Sequence, residues 1–286
     1  MTKILLDVFG GDTPEQIIDG IARTLNEISD VIIVAVGDEG IINDRLSGIE
    51  FDRTRLEIIN ADEVITNNDN PVMAIRQKKN SSLVVSYNTL KNRDDIPIMI
   101  TAGNTGAVVI GSVLMVGRGD RLDKPALVSL LPNEKGGRTC LCDCGANLDC
   151  KPEHLVRFAR YASEYMKKTY KIESPKVALL SVGTEDTKGN EQTKATFTLL
   201  RESDLNFVGN MEARTALKGD VDVIVTDGFG GNLLLKSIEG TAKTLMKMTM
   251  GAIMKNAPEG TDLSFVKRAF GELMTNLDFK IGRAHV

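Results

Sequence analysis

The sequence predicts an α/β protein: a mostly parallel, doubly wound sheet with helices on both faces, a Rossmann-like three-layer sandwich. Three observations carry this. Strand-like and helix-like runs alternate along all 286 residues. The strand-like runs are continuous in Val, Ile and Leu, the pattern of strands covered on both faces. No fixed-period repeat, low-complexity tract or Pro- and Ser-rich linker interrupts them, so residues 1–280 are expected to form a single domain.

The elements follow in order. A first strand is expected over 3–8, ending at the turn Gly10, Gly11, Asp12. Thr13 caps the next helix, Pro14 takes its first position, and Gln16 completes a capping box. Strands are expected over 31–36, 56–59, 96–100, 126–131 and 139–144. Pro152 opens a helix running to Tyr170, and strands over 176–181 and 221–226 follow. Residues 233–254 form a helix rich in Leu and Met, fit for core packing, a dimer contact or a membrane-touching surface. The last six residues, Ile281 to Val286, coincide with one translated frame of a common sequencing adapter. Residues 281–286 are therefore expected to be an adapter-derived tail, with the natural chain continuing after Lys280, and His285 joins no catalytic set.

Thirty-five Lys and Arg against thirty-nine Asp and Glu leave a formal charge of -4, which offers no global field for nucleic acid or anionic lipid. The start lacks a basic segment followed by a long apolar one, and no apolar stretch reaches the roughly 18–20 residues of a membrane span. A cytoplasmic protein is expected. Cys140, Cys142 and Cys144 alternate, which places them on one strand face as small apolar core residues; metal binding is not expected.

Candidate chemistry lies in five turns that follow strands and are rich in Gly, Asn and Asp. In one parallel sheet such turns share an edge, where ligands bind. They are Gly10, Gly11, Asp12; Gly103, Asn104, Thr105, Gly106; Asp143, Gly145, Asn147; Glu185, Lys188, Gly189; and Asp227, Gly228, Gly231, Asn232, with Lys236 one turn further on. Any one of them is ordinary turn chemistry. Their convergence, with two followed by Lys, points to phosphate or a phosphorylated ligand. The dinucleotide fingerprint fails at Leu233, the P-loop fails at Leu235, and no Gly-x-Ser-x-Gly elbow occurs. His154 stands near a helix start, where a surface or capping role is expected.

Taken as blocks, 7–12, 101–107, 141–147, 179–189, 207–212 and 227–240 resemble, in order, the signatures of the PlsX-type phosphate acyltransferases of phospholipid synthesis. Smaller blocks at 61–65, at Pro71, Ala74 and Arg76, and at 125–127 agree. The departures are Val8 and Phe9 for Ala and Met, Thr101 for Ser, Lys124 for Arg, Ser181 for Asn, and Cys142 and Cys144 for apolar residues. The family also continues beyond the segment resembling 277–280.

The resemblance implies transfer of a long acyl chain from acyl carrier protein to inorganic phosphate, with no cofactor. The acyl phosphate would serve a downstream membrane glycerol-3-phosphate acyltransferase, and the enzyme would be a homodimer, cytoplasmic or peripheral at the membrane. In that reading Asn104, Asn147 and Asn232 hold phosphate and the thioester oxyanion, Lys188 or Lys236 offsets charge, and Asp143, Glu185 and Asp227 orient the donors. A phosphotransacetylase-like enzyme acting on acyl-CoA, and a non-catalytic phosphometabolite-binding protein, stand as alternatives.

Overall fold

In a computed structural model the described residues are 1–117, 124–258, 261–276 and 284–285. The expected adapter tail and the 277–280 block fall largely outside them; Ala284–His285 is the exception. Two sheets organise the chain, one in each of two compact units, Met1–Arg121 and Leu122–Val286.

The first unit runs β1 (Thr2–Asp7), α1 (Pro14–Glu27), β2 (Val31–Gly37), α2 (Glu39–Leu46), β3 (Leu56–Asn60), α3 (Pro71–Gln77), α4 (Ser82–Asn92), β4 (Ile98–Thr101) and α5 (Thr105–Gly111). Its four strands lie in the order β3-β2-β1-β4, all parallel. Ile33 and Ala35 of β2 turn one way, onto Ile18, Ile21 and Leu25 of α1 and Ile42 and Leu46 of α2. Val34 and Val36 turn the other way and pack with Leu5 and Ile96. This period of two, apolar in both directions, is why the run reads as continuous Val and Ile. Pro14 does open α1, but Thr13 makes no side-chain cap; its hydroxyl stands 3.5 Å from the Gln16 side chain, and the expected capping box is not formed.

The second unit holds β5 (Leu127–Pro132), β6 (Arg138–Cys142), α6 (Pro152–Tyr170), β7 (Val177–Ser181), α7 (Glu191–Arg201), β8 (Phe207–Glu212), β9 (Val223–Val225), α8 (Gly228–Asn256), α9 (Ser264–Asn276) and β10 (Ala284–His285). The order is β10-β5-β6-β9-β7-β8. The strands β6, β9, β7 and β8 are parallel, while β5 and β10 are antiparallel to their neighbours. Cys140, Cys142, Val223, Val225, Val177 and Leu179 pack beneath α6 and α7, around Phe158 and Met166. Leu141, Ile224 and Ala178 face the opposite way, towards Leu234 and Leu235 of α8. Helices thus cover both faces, as the sequence predicts.

Three expectations are corrected here. The five turns do not line one sheet edge; two follow strands of the first sheet and three follow strands of the second. The strand β8 is missed by the sequence reading because Gly209, at φ +105°, and Asn210 break its apolar run where its register with β7 shifts. Cys144 leaves the shared face, because β6 ends at Cys142. It packs with Leu127 and Leu141 on the α8 side, while Cys140 and Cys142 stay on the α6 side.

Candidate functional site

In the first unit the parallel register sets Asp7 of β1 beside Thr101 of β4. Asp7 has no exposed surface. The Thr101 hydroxyl donates to Asp7 Oδ2 at 2.7 Å, and the Gly103 amide donates to Thr101 Oγ1 at 3.0 Å. Burial pushes the Asp7 carboxyl pKa up, against the pull of the Ser82 and Thr101 hydroxyls and the Gly10 and Phe9 amides. Gly10 is required by this packing: a Cβ there would lie 2.3 Å from Asp7 Oδ2.

Asn104 caps α5, accepting from Ala107 N at 3.0 Å, and its amide points at the carbonyls of Thr66 and Asn67, 3.4 Å from each. Asn67 in turn donates to Asp12 Oδ1 at 2.9 Å. The sequence-named Asp12 and Asn104 are therefore brought together through a residue the sequence reading did not single out. Gly106 fits against Pro71, whose Cγ would be 2.9 Å from a Cβ, and Thr105 is exposed on the first turn of α5. Gly11 closes on Ala102.

In the second unit Asp143 organises the turn after β6. Its Oδ1 accepts from the amides of Leu127, Gly145 and Ala146, and its Oδ2 from the Asn147 amide and side chain, at 2.7–3.2 Å. The side-chain nitrogen of Asn147 also donates to the Pro125 carbonyl at 2.8 Å. Both hydrogens of its side-chain amide are taken, one by Asp143 in the turn and one by the Pro125 carbonyl outside it, so in this geometry that amide has no hydrogen left to donate to phosphate. The start of α8 packs directly on this turn. Gly228 N donates to the Asn147 carbonyl at 2.7 Å, a Cβ on Gly228 would lie 2.6 Å from that oxygen, and one on Gly231 would lie 1.8 Å from the Asp143 carbonyl oxygen. Gly228 and Gly231 are therefore positions where the close approach of α8 to the turn leaves no room for a Cβ. Asp227 caps α8 by accepting from Gly230 N at 2.7 Å.

Asn232 is exposed on α8 and packs beside Gly145, which holds φ +130°. Lys188 and Glu185 are exposed in the turn after β7, and the Glu185 carbonyl accepts from the buried Asn210 side chain at 2.9 Å. Gly189, at φ +108°, precedes Asn190, the cap of α7. Lys236 lies well inside α8 and pairs with Glu239 at 2.8 Å. The two share a helix face because they stand three residues apart.

His154 behaves as expected of a helix start. Its Nδ1 accepts the Lys151 amide at 3.1 Å, and burial, with Lys124 and Lys151 nearby, holds its pKa down. Burial pushes the Cys140 thiol up to about 12 and that of Cys150, whose Sγ donates to the Asn147 carbonyl at 3.5 Å, up to about 11. Asp7, Asn67 and Thr101 were not named as site residues from sequence. The signal that could have found Asp7 and Thr101 is an acidic and a hydroxyl residue each ending an apolar strand before a Gly-rich turn.

The fold and its turns define a class, an α/β protein with Gly- and Asn-rich turns at the ends of its parallel strands. A phosphotransacetylase from Streptococcus pyogenes shares the fold, with a TM-score of 0.62 at 16% identity, covering 85% of this chain and 82% of that one. Residues 2–284 match the family described as fatty acid synthesis protein, and the chain belongs to it. A phosphate acyltransferase of Clostridioides difficile is 41% identical over 278 residues, 97% of this chain and 81% of the relative. One from Bacillus pumilus is 43% identical over 279 residues, 97% and 82% of the two chains.

Proposed function

We propose that this protein transfers a long-chain acyl group from acyl-[acyl carrier protein] to inorganic phosphate, forming acyl phosphate for phospholipid synthesis. The observation that carries this reading is the family match across residues 2–284, with relatives named phosphate acyltransferase. The geometry supports direct transfer. A phosphate oxygen attacks the thioester carbonyl, the C–O bond forms, the C–S bond breaks, and the carrier thiolate leaves and takes a proton from solvent. Phosphate is ionised at neutral pH and the thiolate is a good leaving group, so positioning and charge neutralisation suffice. The thiols of Cys140 and Cys142, buried and held neutral, that of the partly buried Cys150, also pushed up by burial, and the capping His154 argue against an acyl-enzyme intermediate.

Asn232 beside Gly145 is the side chain best placed to hold the oxyanion or phosphate, with Lys188 to offset charge; the network of Asp12, Asn67 and Asn104 shapes the corresponding turns of the first unit. Exposed Phe229, Leu233, Leu245, Met248 and Met254 along α8 suit a homodimer contact or the acyl chain. No helix among the described residues is long and apolar enough to cross a membrane. A peripheral position would bring the product to a membrane glycerol-3-phosphate acyltransferase.

The test is purified protein with acyl-[acyl carrier protein] and labelled phosphate. Acyl phosphate should form only when both are present. Transfer from acyl-CoA in preference would favour a phosphotransacetylase-like activity, and binding of phosphate without turnover would leave a sensor.

A further inference from the structure

A buried carboxylate is a costly choice for a strand end. Asp7 has no exposed surface, no well-formed hydrogen bond reaches its Oδ1 although the Ser82 hydroxyl and the Gly10 and Phe9 amides lie close enough to favour its charge, and burial outweighs them. An apolar residue would serve the core of β1 better, so the acid is explained by what it holds. Asp7 Oδ2 receives the Thr101 hydroxyl, and Thr101 Oγ1 receives the Gly103 amide. Around this chain the two turns close on each other at near-minimal separation. A Cβ on Gly10 would lie 2.8 Å from Thr101 Oγ1, one on Gly11 would lie 3.0 Å from the Ala102 Cβ, and one on Gly103 would lie 3.3 Å from the Gly10 carbonyl oxygen.

We propose that Asp7 is a positioning residue, which acts through the Thr101 hydroxyl and the Gly103 amide to fix the 10–12 and 101–106 turns in the geometry that binds phosphate. The proposal rests on the phosphate-transfer reading for its ligand. Asp7 itself touches no substrate. The Thr101 hydroxyl is the relay: it must donate to the carboxylate and accept from the amide at once, which a hydroxyl does and a methyl does not. With the relay broken, Gly103 N loses its acceptor and the turn is free to rotate.

The experiment measures phosphate binding separately from turnover. Inorganic phosphate is titrated against the melting temperature of the full chain for wild type, Thr101→Ser, Thr101→Val and Asp7→Ala, and hydrogen exchange is followed at the Gly103 amide. Wild type and Thr101→Ser should show the same phosphate midpoint and a protected Gly103 amide. Thr101→Val should need about tenfold more phosphate, a change of about 1.4 kcal/mol in binding, with Gly103 exchanging faster and the KM for acyl-[acyl carrier protein] unchanged. Asp7→Ala should match Thr101→Val; if it does not fold, the Thr101 pair decides. A wild-type midpoint in Thr101→Val, equal losses in Thr101→Ser and Thr101→Val, or a wild type that does not respond to phosphate would each overturn the proposal. A wild type that binds phosphate but makes no acyl phosphate refutes the transfer reading alone.

Discussion

Asp143 and Asp7 are both fully buried carboxylates, yet their environments differ. Five donors answer Asp143, whereas Asp7 Oδ1 lacks a well-formed bond. The Asp7 pKa is raised by burial, so the folded state keeps that proton to higher pH than the unfolded chain does. Below the unfolded value, about 3.9, both states are protonated and there is no penalty. As pH rises from there through the folded pKa, the wild type loses stability. Asp7→Asn, which has the same shape and no charge, should therefore gain stability relative to wild type with rising pH, with the difference vanishing near pH 3. Parallel melting curves of the two proteins from pH 3 to 8 would contradict this. The glycines give a second contrast. Gly231→Ala should cost about 2–3 kcal/mol through overpacking against the Asp143 carbonyl. Gly240→Ala, in α8 with no atom within 4 Å of the new Cβ, should stabilise by about 0.5–1 kcal/mol. Urea unfolding of the two variants checks both signs.

At the scale of elements, α6 was legible because Pro152 marks its first turn and its apolar spacing is regular, and the structure begins and ends it where the sequence places it. The helix α1 was legible in position but not in its cap, since Thr13 has a capping side chain without the capping geometry. The edge strand β8 was hidden by Gly209 and Asn210, whose roles are tertiary: a positive φ at a register shift, and a side chain holding the Glu185 carbonyl. Site residues followed the same rule. Their type and their turn can be read locally, but whether an amide such as Asn147 faces a ligand or its own turn depends on Pro125, distant in sequence. His154 offers an element-scale test. Its pKa is lowered in the fold, so its contribution is present above the unfolded value of about 6.5 and is lost as pH falls through the folded one. Protonating Nδ1 also removes the acceptor for Lys151 N and places a positive charge at a helix start. His154→Gln keeps an acceptor without titrating. Its melting temperature should fall less than that of wild type between pH 7 and 5; an identical slope would assign the cap no role in that titration.

For the molecule as a whole, the α/β class was legible because apolar runs facing helices on both sides are a property of the chain itself. The division into two sheets was not, since no linker composition marks it and every turn looks alike before the strands are ordered. The same wholeness bears on mechanism. If acyl transfer passes directly to phosphate, no thiol in the molecule is required, although three of them fill the second unit's core. Replacing Cys150, which is only partly buried, should change neither stability nor turnover by much. Replacing Cys140 and Cys142 with Ala should lower stability by about 1 kcal/mol each, as small cavities open beneath α6, while phosphate-dependent turnover at a temperature where the protein stays folded remains within about twofold of wild type. Labelled acyl-[acyl carrier protein] supplied without phosphate should leave no label on the protein. Stoichiometric acylation that disappears with any one cysteine would replace direct transfer with a covalent route, and would require that thiol to reach the surface from a site where burial now holds it neutral.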